Sequence, residues 1–308
     1  MAGSGWSTTS SRTSASSSTS DRAPGVGARA LGWIRLTHPF PSILDGLVSG
    51  AIAGLAGGAA DQVVRVVLAM TALQLGIGTV NDIVDAPRDA GRKAGKPIPS
   101  GLVPPNGARL LAIGCFLAGI VLAASVSSAT GLLVPVIIAI GLAYDLRLKG
   151  TAWSWLPFAI GIPILPVFGW IGVASSLPIA FVVLVPAAVA AGAGLAIGNT
   201  LVDVERDRAA GISSIALRLG PARARRVGIA LFGLIWVAAV GSAVAAGGGL
   251  AAVAAVALAG SIPVIAAILA GPASPGGRER AWQAEAVGLG ALAALWLATV
   301  LGSGSGAG

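Results

Sequence analysis

The chain has 308 residues, of which 55% are hydrophobic and only 10% are charged, and 45 residues are glycine. Charged residues make up about 25% of a typical soluble domain, so a soluble fold would lack the polar side chains to cover its surface. The net charge of +8 could suggest a nucleic acid partner, but the basic residues are scattered between apolar runs and form no basic stripe. The composition therefore predicts an integral protein of the lipid bilayer, with no nucleic acid partner.

The two ends of the chain differ in composition from the region between them. Residues 1–31 are rich in Ser, Thr, Gly and Ala and contain one acid. Such a segment cannot bury enough apolar surface to fold, so we expect a disordered cytoplasmic tail, with a plastid transit peptide as the alternative. Residues 303–308 are expected to form a second flexible tail, which leaves one transmembrane domain over residues 32–302.

Nine apolar segments lie between the tails, and each is a candidate membrane span because about 20 apolar residues cross a bilayer. The N-terminal segment and the loops and span ends on the same side contain 19 of the 20 Lys and Arg, and only Arg65 lies on the other side, where Asp61 can pair with it. The positive-inside rule then predicts an all-α bundle of nine helices with its N-terminus in the cytoplasm and its C-terminus outside. The segments are residues 40–59, 62–82, 106–126, 130–146, 153–174, 178–200, 226–246, 248–270 and 284–302.

Outside the tail, the carboxylates gather mainly at the cytoplasmic ends of the second and sixth predicted spans. In each cluster an Asn is followed by two Asp at intervals of four residues, which places the three side chains near one face of a helix. Asp and Asn oxygens with no His or Cys nearby suit a hard cation such as Mg²⁺ or Mn²⁺. The first cluster contains Asn81, Asp82, Asp85 and Asp89, and the second contains Asn199, Asp203 and Asp207.

Two matching clusters at equivalent ends of two spans predict a functional site. One such cluster alone would be explained by pairing with its basic neighbours. Mg²⁺ usually takes one or two carboxylates together with substrate phosphate oxygens, so two facing clusters predict a clamp for a diphosphate. Intramembrane acids also mark cation pathways, which makes a cation-coupled transporter the alternative from a different class of function. The acids lie at one membrane face with little charge at mid-depth, which argues against such a pathway.

These motifs resemble those of the UbiA superfamily of intramembrane prenyltransferases. The first family motif, N-D-x-x-D-x-x-x-D, is matched by residues 81–89, and the second, D-x-x-x-D, by residues 203–207. The run Lys96-Pro-Ile-Pro-Ser-Gly looks like the basic-Pro-x-Pro-Ser-Gly loop of the family, and Tyr144 and Lys149 resemble a Tyr and a Lys that follow its fourth span. The resemblance covers about residues 35–302.

The resemblance implies a Mg²⁺-dependent enzyme of the plasma membrane, with its active site on the cytoplasmic side and no obligate protein partner. Such an enzyme ionises a prenyl diphosphate and transfers the prenyl group to a lipophilic acceptor. The acceptor stays open between an aromatic quinone precursor, a tetrapyrrole acid as in chlorophyll synthase, and a polar lipid precursor. The resemblance implies as metal ligands Asn81, Asp82, Asp85, Asp89, Asn199, Asp203 and Asp207, as catalytic residues Asp85, Asp203, Tyr144 and Lys149, and as substrate-binding residues Arg92, Lys96, Lys149 and Tyr144.

Some residues at or near the motifs depart from the family pattern or are given no chemistry. Thr200 stands where many members have Asp, and because a hydroxyl is a poorer metal ligand we interpret it as a neighbour of the ligands rather than a ligand. Pro87 within the first motif is expected to bend the end of that helix and re-aim Asp89. His38 is interpreted as an interface residue, and Phe158 as a packing or interfacial residue in preference to a tunnel wall.

Overall fold

The computed structural model describes residues 25–91 and 95–304, and within these ranges every regular element is a helix. A π-helical turn, Tyr144–Leu148, follows the fifth helix directly. The helices in chain order are α1 (Val26–Leu36), α2 (Pro39–Leu55), α3 (Ala60–Asp89), α4 (Pro105–Val126), α5 (Ser128–Ala143), α6 (Leu156–Ile171), α7 (Phe181–Val202), α8 (Val204–Ala209), α9 (Ile215–Leu219), α10 (Pro221–Ala245), α11 (Leu250–Leu269) and α12 (Pro275–Gly304).

Each of the nine predicted spans coincides with one of the longer helices. Seven of the described helices are long and apolar enough to cross a membrane, while α2 and α6 are apolar but shorter, with 17 and 16 residues. Large apolar side chains cover the outside of the bundle, for example Leu110, Leu132 and Leu258, each at least 70% exposed. An apolar surface of this extent is expected where a protein meets lipid.

Several boundaries differ from those predicted, because hydropathy falls at the first charged residue while helical hydrogen bonding continues. Helix α3 reaches Asp89 rather than residue 82, and α12 begins at Pro275 rather than at residue 284. Residues 26–31 belong to α1, so the disordered tail predicted for 1–31 does not extend over them; α1 is held by Leu36, which is fully buried against Val103. Residues 303–304 likewise end α12, and the predicted tail residues 1–24 and 305–308 lie outside the described residues.

The two largest apolar clusters of the core correspond to the two halves of the bundle, and smaller clusters lie around Leu36 and Ile197. The first cluster lies among α2, α3, α4, α5 and α6 and includes Met70 and Leu73. The second lies among α2, α6, α7, α10, α11 and α12 and includes Phe232 and Trp296. Helices α2 and α6 contribute to both clusters and therefore join the two halves.

Glycines allow the helices that join the halves to approach at backbone distance. A methyl group at Gly192 in α7 would lie 2.2 Å from the carbonyl oxygen of Phe158 in α6, and one at Gly169 in α6 would lie 2.2 Å from that of Ser49 in α2. Small residues at such crossings are the usual basis of helix packing in membranes. These contacts fix α6 between α2 and α7, beside the site described next.

Candidate active site

The first acidic cluster lies on the last turns of α3, which remains helical through Pro87 to Asp89. Asn81 donates a hydrogen bond from Nδ2 to Oδ1 of Asp145, 2.6 Å away. Lys149 donates from Nζ to Oδ1 of Asn81, at 2.9 Å, and also pairs with the carboxylate of Asp85. The Asn81 and Asp85 side chains, one helical turn apart, therefore share one lysine, as expected for neighbours on one helix face.

Asp82 lies on a different face of α3 and is almost fully buried. It pairs with Lys96, whose Nζ is also 3.6 Å from Oδ2 of Asp89. Oδ1 of Asp82 lies 2.9 Å from Nε2 of His38. His38 therefore contacts the first acidic cluster, and its interpretation as an interface residue without a role needs correction. His38 precedes Pro39 at the start of α2 with a left-handed φ of 49°, and this backbone conformation accompanies its contact with α3.

The π-helical turn after α5 positions Tyr144 and Lys149. The amide of Lys149 donates to the carbonyl of Tyr144 at 2.8 Å, the five-residue spacing of a π-turn, and such turns occur frequently at functional sites. The Tyr144 ring packs edge-on against Phe158, with 5.5 Å between ring centroids. Asp145, within the same turn, is buried, and its Oδ2 has no hydrogen-bond partner among the described residues.

The second acidic cluster does not lie on one continuous helix, so that part of the prediction is wrong. Helix α7 ends at Val202, Asp203 has φ −102° and ψ 12°, and α8 begins at the next residue. Asp203 forms an ion pair with Arg206 at 2.9 Å. Thr200 is buried and donates to the carbonyl oxygen of Ile197 on its own helix.

Both clusters lie at the same end of the bundle, on either side of the π-helical turn. The amide of Ser213 donates to the carbonyl of Gly150 at 3.3 Å, which joins the loop after α8 to the residue that follows Lys149. Burial is the main cause of the raised pKa of Asp207; among the smaller effects, repulsion by Asp203 raises it, and the positive charges of Arg206 and Lys149 lower it. Lys149 thus acts on carboxylates of both clusters, those of Asp85 and Asp207.

Tyr144 provides a second link between the clusters. Its side chain lies close to Asn199 and within electrostatic range of Asp85 and Asp207. A cavity of about 210 Å³ extends from this point into the bundle. Asn81, Tyr144 and Asp145 line its polar end, and apolar side chains line most of the remaining wall, including Ile77, Ile137, Ile140, Phe158, Ile162 and Leu165.

The family described as "UbiA prenyltransferase family" matches residues 46–298 of this chain. The chain belongs to the UbiA prenyltransferase family. The match covers most of the sequence and confirms the resemblance inferred from the acidic motifs. Membership in a family of enzymes favours catalysis over the transporter alternative.

Two curated relatives and one solved structure show how far the likeness extends. The chain is 33% identical to digeranylgeranylglyceryl phosphate synthase of Methanopyrus kandleri over 109 residues, which is 35% of this chain and 38% of that protein. It is 31% identical to the chloroplastic chlorophyll synthase of Oryza sativa subsp. japonica over 206 residues, 61% of this chain and 54% of that protein. A UbiA homologue from Archaeoglobus fulgidus, solved with GPP and Mg²⁺, has a TM-score of 0.67 at 17% identity and covers 89% of this chain and 99% of its own. That last likeness shows the UbiA fold.

The donor atoms of this UbiA site suit Mg²⁺, although no three His, Cys, Asp or Glu side chains among the described residues are arranged to hold a metal ion by themselves. Lys96 and Lys149 occupy the spaces between the acids of the first cluster. Carboxylate and amide oxygens are nevertheless the ligands that Mg²⁺ prefers, and the buried Oδ2 of Asp145 is one such oxygen without a partner. Because Mg²⁺ keeps waters and takes phosphate oxygens, a few protein oxygens are sufficient.

Two residues of the site were not predicted from the sequence, and one predicted residue lies outside the described part of the chain. His38 and Asp145 both contact the first cluster, but neither belongs to a spacing pattern. The available signals were a His directly before the proline that begins a span, and an acid directly after Tyr144. Arg92, predicted to bind substrate, lies outside the described residues.

Proposed function

We propose that this chain is an integral membrane enzyme that transfers a prenyl group from its diphosphate to a lipophilic acceptor. The observation that carries the proposal is the meeting of two acidic clusters around Lys149 and Tyr144 at the polar end of an otherwise largely apolar cavity. A diphosphate needs cations and hydrogen-bond donors at its head, and its prenyl chain needs a dry apolar wall. Membership in the UbiA prenyltransferase family supports the same reaction.

The topology that we propose has nine spans, with the N-terminus and the active site on the cytoplasmic side of the plasma membrane and the C-terminus outside. Helices α2 and α6 have 17 and 16 residues, which correspond to about 24–26 Å at 1.5 Å per residue. The hydrocarbon core is about 30 Å thick, so the non-helical residues at their ends complete these two spans. Residues 32–302 form the catalytic domain in this arrangement.

Six side chains are proposed to hold the metal together with the diphosphate. When bound, Mg²⁺ neutralises the negative charge that develops on the departing diphosphate. Asp82 was included among the ligands on sequence grounds, but its contacts with Lys96 and His38 favour a role in positioning Lys96. The proposed ligands are Asn81, Asp85, Asp89, Asn199, Asp203 and Asp207.

The basic and aromatic side chains act on the substrate in this proposal. Lys149 and Lys96 donate hydrogen bonds to phosphate oxygens, and Arg92 adds a flat guanidinium suited to two parallel bonds. The ring face of Tyr144, fixed by Phe158, stabilises positive charge on the allylic carbons. The apolar cavity wall keeps water away from that charge.

The acceptor is proposed to be a lipophilic molecule that reaches the cavity from the bilayer. The two curated relatives are a digeranylgeranylglyceryl phosphate synthase and a chlorophyll synthase, so a polar lipid precursor and a tetrapyrrole acid are both candidates. An aromatic precursor of a quinone is a third candidate, on the sequence resemblance alone.

The proposal is tested with the full chain in proteoliposomes that contain Mg²⁺ and labelled geranylgeranyl diphosphate. The acceptors are geranylgeranylglyceryl phosphate, chlorophyllide and 4-hydroxybenzoate, and the products are identified by mass spectrometry. We expect one acceptor to be prenylated, EDTA to stop the reaction and added Mg²⁺ to restore it. Asp85→Asn and Asp203→Asn should each abolish transfer, because each removes a proposed metal ligand.

The matched control is Asp61→Asn, which removes an acid paired with Arg65 at the opposite end of α3. This variant should retain the activity of the unmodified chain. Full activity of Asp85→Asn or Asp203→Asn, with normal insertion in the membrane, would refute the two-cluster site.

A further inference from the structure

Asp45 is a carboxylic residue inside the bundle that belongs to neither acidic cluster. Asp45 lies in α2 and lines the cavity that begins at Asn81 and Tyr144. It also lines a second cavity of about 110 Å³, which lies between α2, α6, α7, α10 and α12. Asp45 therefore stands where the cavity of the candidate active site meets a second space inside the bundle.

Asp45 has no hydrogen-bond or ion-pair partner among the described residues. The second cavity is otherwise apolar, with Leu44, Val48, Leu195 and Trp296 among its lining residues. A carboxylate in such surroundings is costly unless something compensates it, and polar groups kept inside a membrane bundle usually mark a substrate pathway. A ligand of the cavity is therefore the expected partner of Asp45.

The contacts between α2 and α3 show how far Asp45 lies from the acidic end of the bundle. The contact between His38 and Asp82 joins the helices at the site, and the close approach of Gly46 to Thr71 joins them further in. Asp45 follows His38 by seven residues, which is about 10 Å along the helix axis.

Gln74 precedes Asp82 by eight residues, about 12 Å along α3. It therefore reaches a depth similar to that of Asp45, and it also lines the first cavity. Its amide makes only a 3.8 Å contact with the sulfur of Met70. The interior of the cavity thus holds an acceptor from Asp45 and an amide from Gln74, both well removed from the metal-binding end.

We propose that Asp45 accepts a hydrogen bond from a hydroxyl group of the prenyl acceptor and selects a neutral alcohol over a carboxylate at this position. The inference rests on the proposed function and names the chemical class of its acceptor. A carboxyl group accepts a hydrogen bond from a hydroxyl in either protonation state, and a neutral alcohol costs less to bury beside it than a second carboxylate, because the apolar wall supplies no counter-charge. Gln74 supplies the complementary donor to the oxygen of the same hydroxyl.

The depth of Asp45 separates this role from metal binding. Metal–oxygen bonds of Mg²⁺ are about 2.1 Å, so a group roughly 10 Å further along the helix does not join the same coordination shell. That distance instead suits the head group of a second substrate placed beyond the diphosphate.

Equilibrium binding to the full chain in nanodiscs tests the inference without turnover. Mg²⁺ and geranylgeranyl thiolodiphosphate, which resists ionisation, fill the donor site. The probes are labelled geranylgeraniol and geranylgeranoic acid, which share a prenyl chain and differ in the hydroxyl or carboxylate head. We expect the alcohol to bind more tightly than the acid, and Asp45→Leu to weaken alcohol binding on the order of tenfold to a hundredfold.

Asp45→Asn retains a hydrogen-bond acceptor but has no carboxyl group, so it should keep much of the alcohol affinity and gain affinity for the acid. It also serves as the test if Asp45→Leu does not fold. Donor binding should stay within about twofold of the unmodified chain in both variants, as it should in Asp61→Asn. Equal affinities of the two probes, or alcohol binding unchanged in both Asp45 variants, would overturn the inference.

Transfer assays separate this inference from the proposed function. If the unmodified chain transfers a prenyl group and the acceptor KM is unchanged in Asp45→Leu, only the role of Asp45 is refuted. If the unmodified chain binds the alcohol through Asp45 but transfers no prenyl group to any acceptor, the proposed function fails and the binding site stands.

Discussion

The close crossing of α6 and α7 at Gly192 predicts a large effect from adding one methyl group. In Gly192→Ala the new Cβ would lie 2.2 Å from the carbonyl oxygen of Phe158 and 2.6 Å from its carbonyl carbon. Both atoms belong to the backbone, so no side-chain rotation relieves the overlap, and the two helices must separate by about 1 Å to reach ordinary contact. Overpacking of this kind costs about 1–3 kcal/mol.

Alanine also stabilises a helix by up to about 1 kcal/mol relative to glycine, which offsets part of that cost. We therefore expect Gly192→Ala to lower the free energy of unfolding by about 1–2 kcal/mol. Gly241→Ala in α10 is the matched control, because nothing lies within 4 Å of its new Cβ. This control should be neutral or slightly stabilising.

Both variants would be compared by denaturant titration in mixed micelles, with tryptophan fluorescence as the readout. The separation of α6 from α7 should also displace Phe158, and with it the ring that packs on Tyr144. Prenyl transfer should therefore fall in Gly192→Ala and remain unchanged in Gly241→Ala. Equal stability of the two variants would refute the backbone contact from which the magnitude is derived.

Three further substitutions have expected outcomes. Lys149→Met should reduce kcat/KM for the donor diphosphate on the order of a hundredfold, because it removes a charged donor that contacts Asp85, while binding of geranylgeraniol stays unchanged. His38→Ala should reduce transfer about tenfold by loosening Asp82, and His38→Gln, which can still form a hydrogen bond, should recover part of it in the same assay. Ser127→Ala removes the side chain that caps the start of α5 and should lower the free energy of unfolding by about 1 kcal/mol in the titration above, with kcat unchanged.

The helical segments of the bundle were predictable because apolar length is a signal that the chain carries locally. Each of the nine predicted segments coincides with a helix, and the pairing of Arg65 with Asp61 is confirmed at 2.5 Å. Helix ends were predicted less well, since charged residues beyond the bilayer continue α3 and α12 without an apolar signal.

The candidate site was predictable where its residues recur at regular intervals along the sequence. Two sets of three residues were found from intervals of four residues, whereas Asp82, Tyr144 and Lys149 were named from the family resemblance. The two sets are Asn81, Asp85 and Asp89, and Asn199, Asp203 and Asp207. The break of the helix at Asp203 was not predicted, because it depends on the dihedral angles of a single residue. The π-helical turn was likewise missed, as its five-residue hydrogen bond has no compositional signature.

Tertiary contacts account for the remaining differences. His38 approaches Asp82 only because α2 and α3 cross closely at Gly46, and Asp145 meets Asn81 only because the π-helical turn directs it toward α3. Neither contact can be read from the positions of these residues along the chain. The role proposed for Asp45 could not be predicted from the sequence either, because it depends on the two cavities that this residue lines.

The two lysines of the site neutralise its acids when no substrate is bound, and they are also proposed to bind the substrate. Lys96 and Lys149 are paired with acids of the first cluster, and they are also the proposed donors to phosphate oxygens. A divalent cation on the carboxylates would replace the lysines as their counter-charge and leave both ammonium groups available to the diphosphate. Metal and diphosphate would then each favour the binding of the other, because thermodynamic linkage makes such coupling reciprocal. In this arrangement the lysines prevent repulsion among the acids before substrate arrives, and the same charges hold the leaving group once it does.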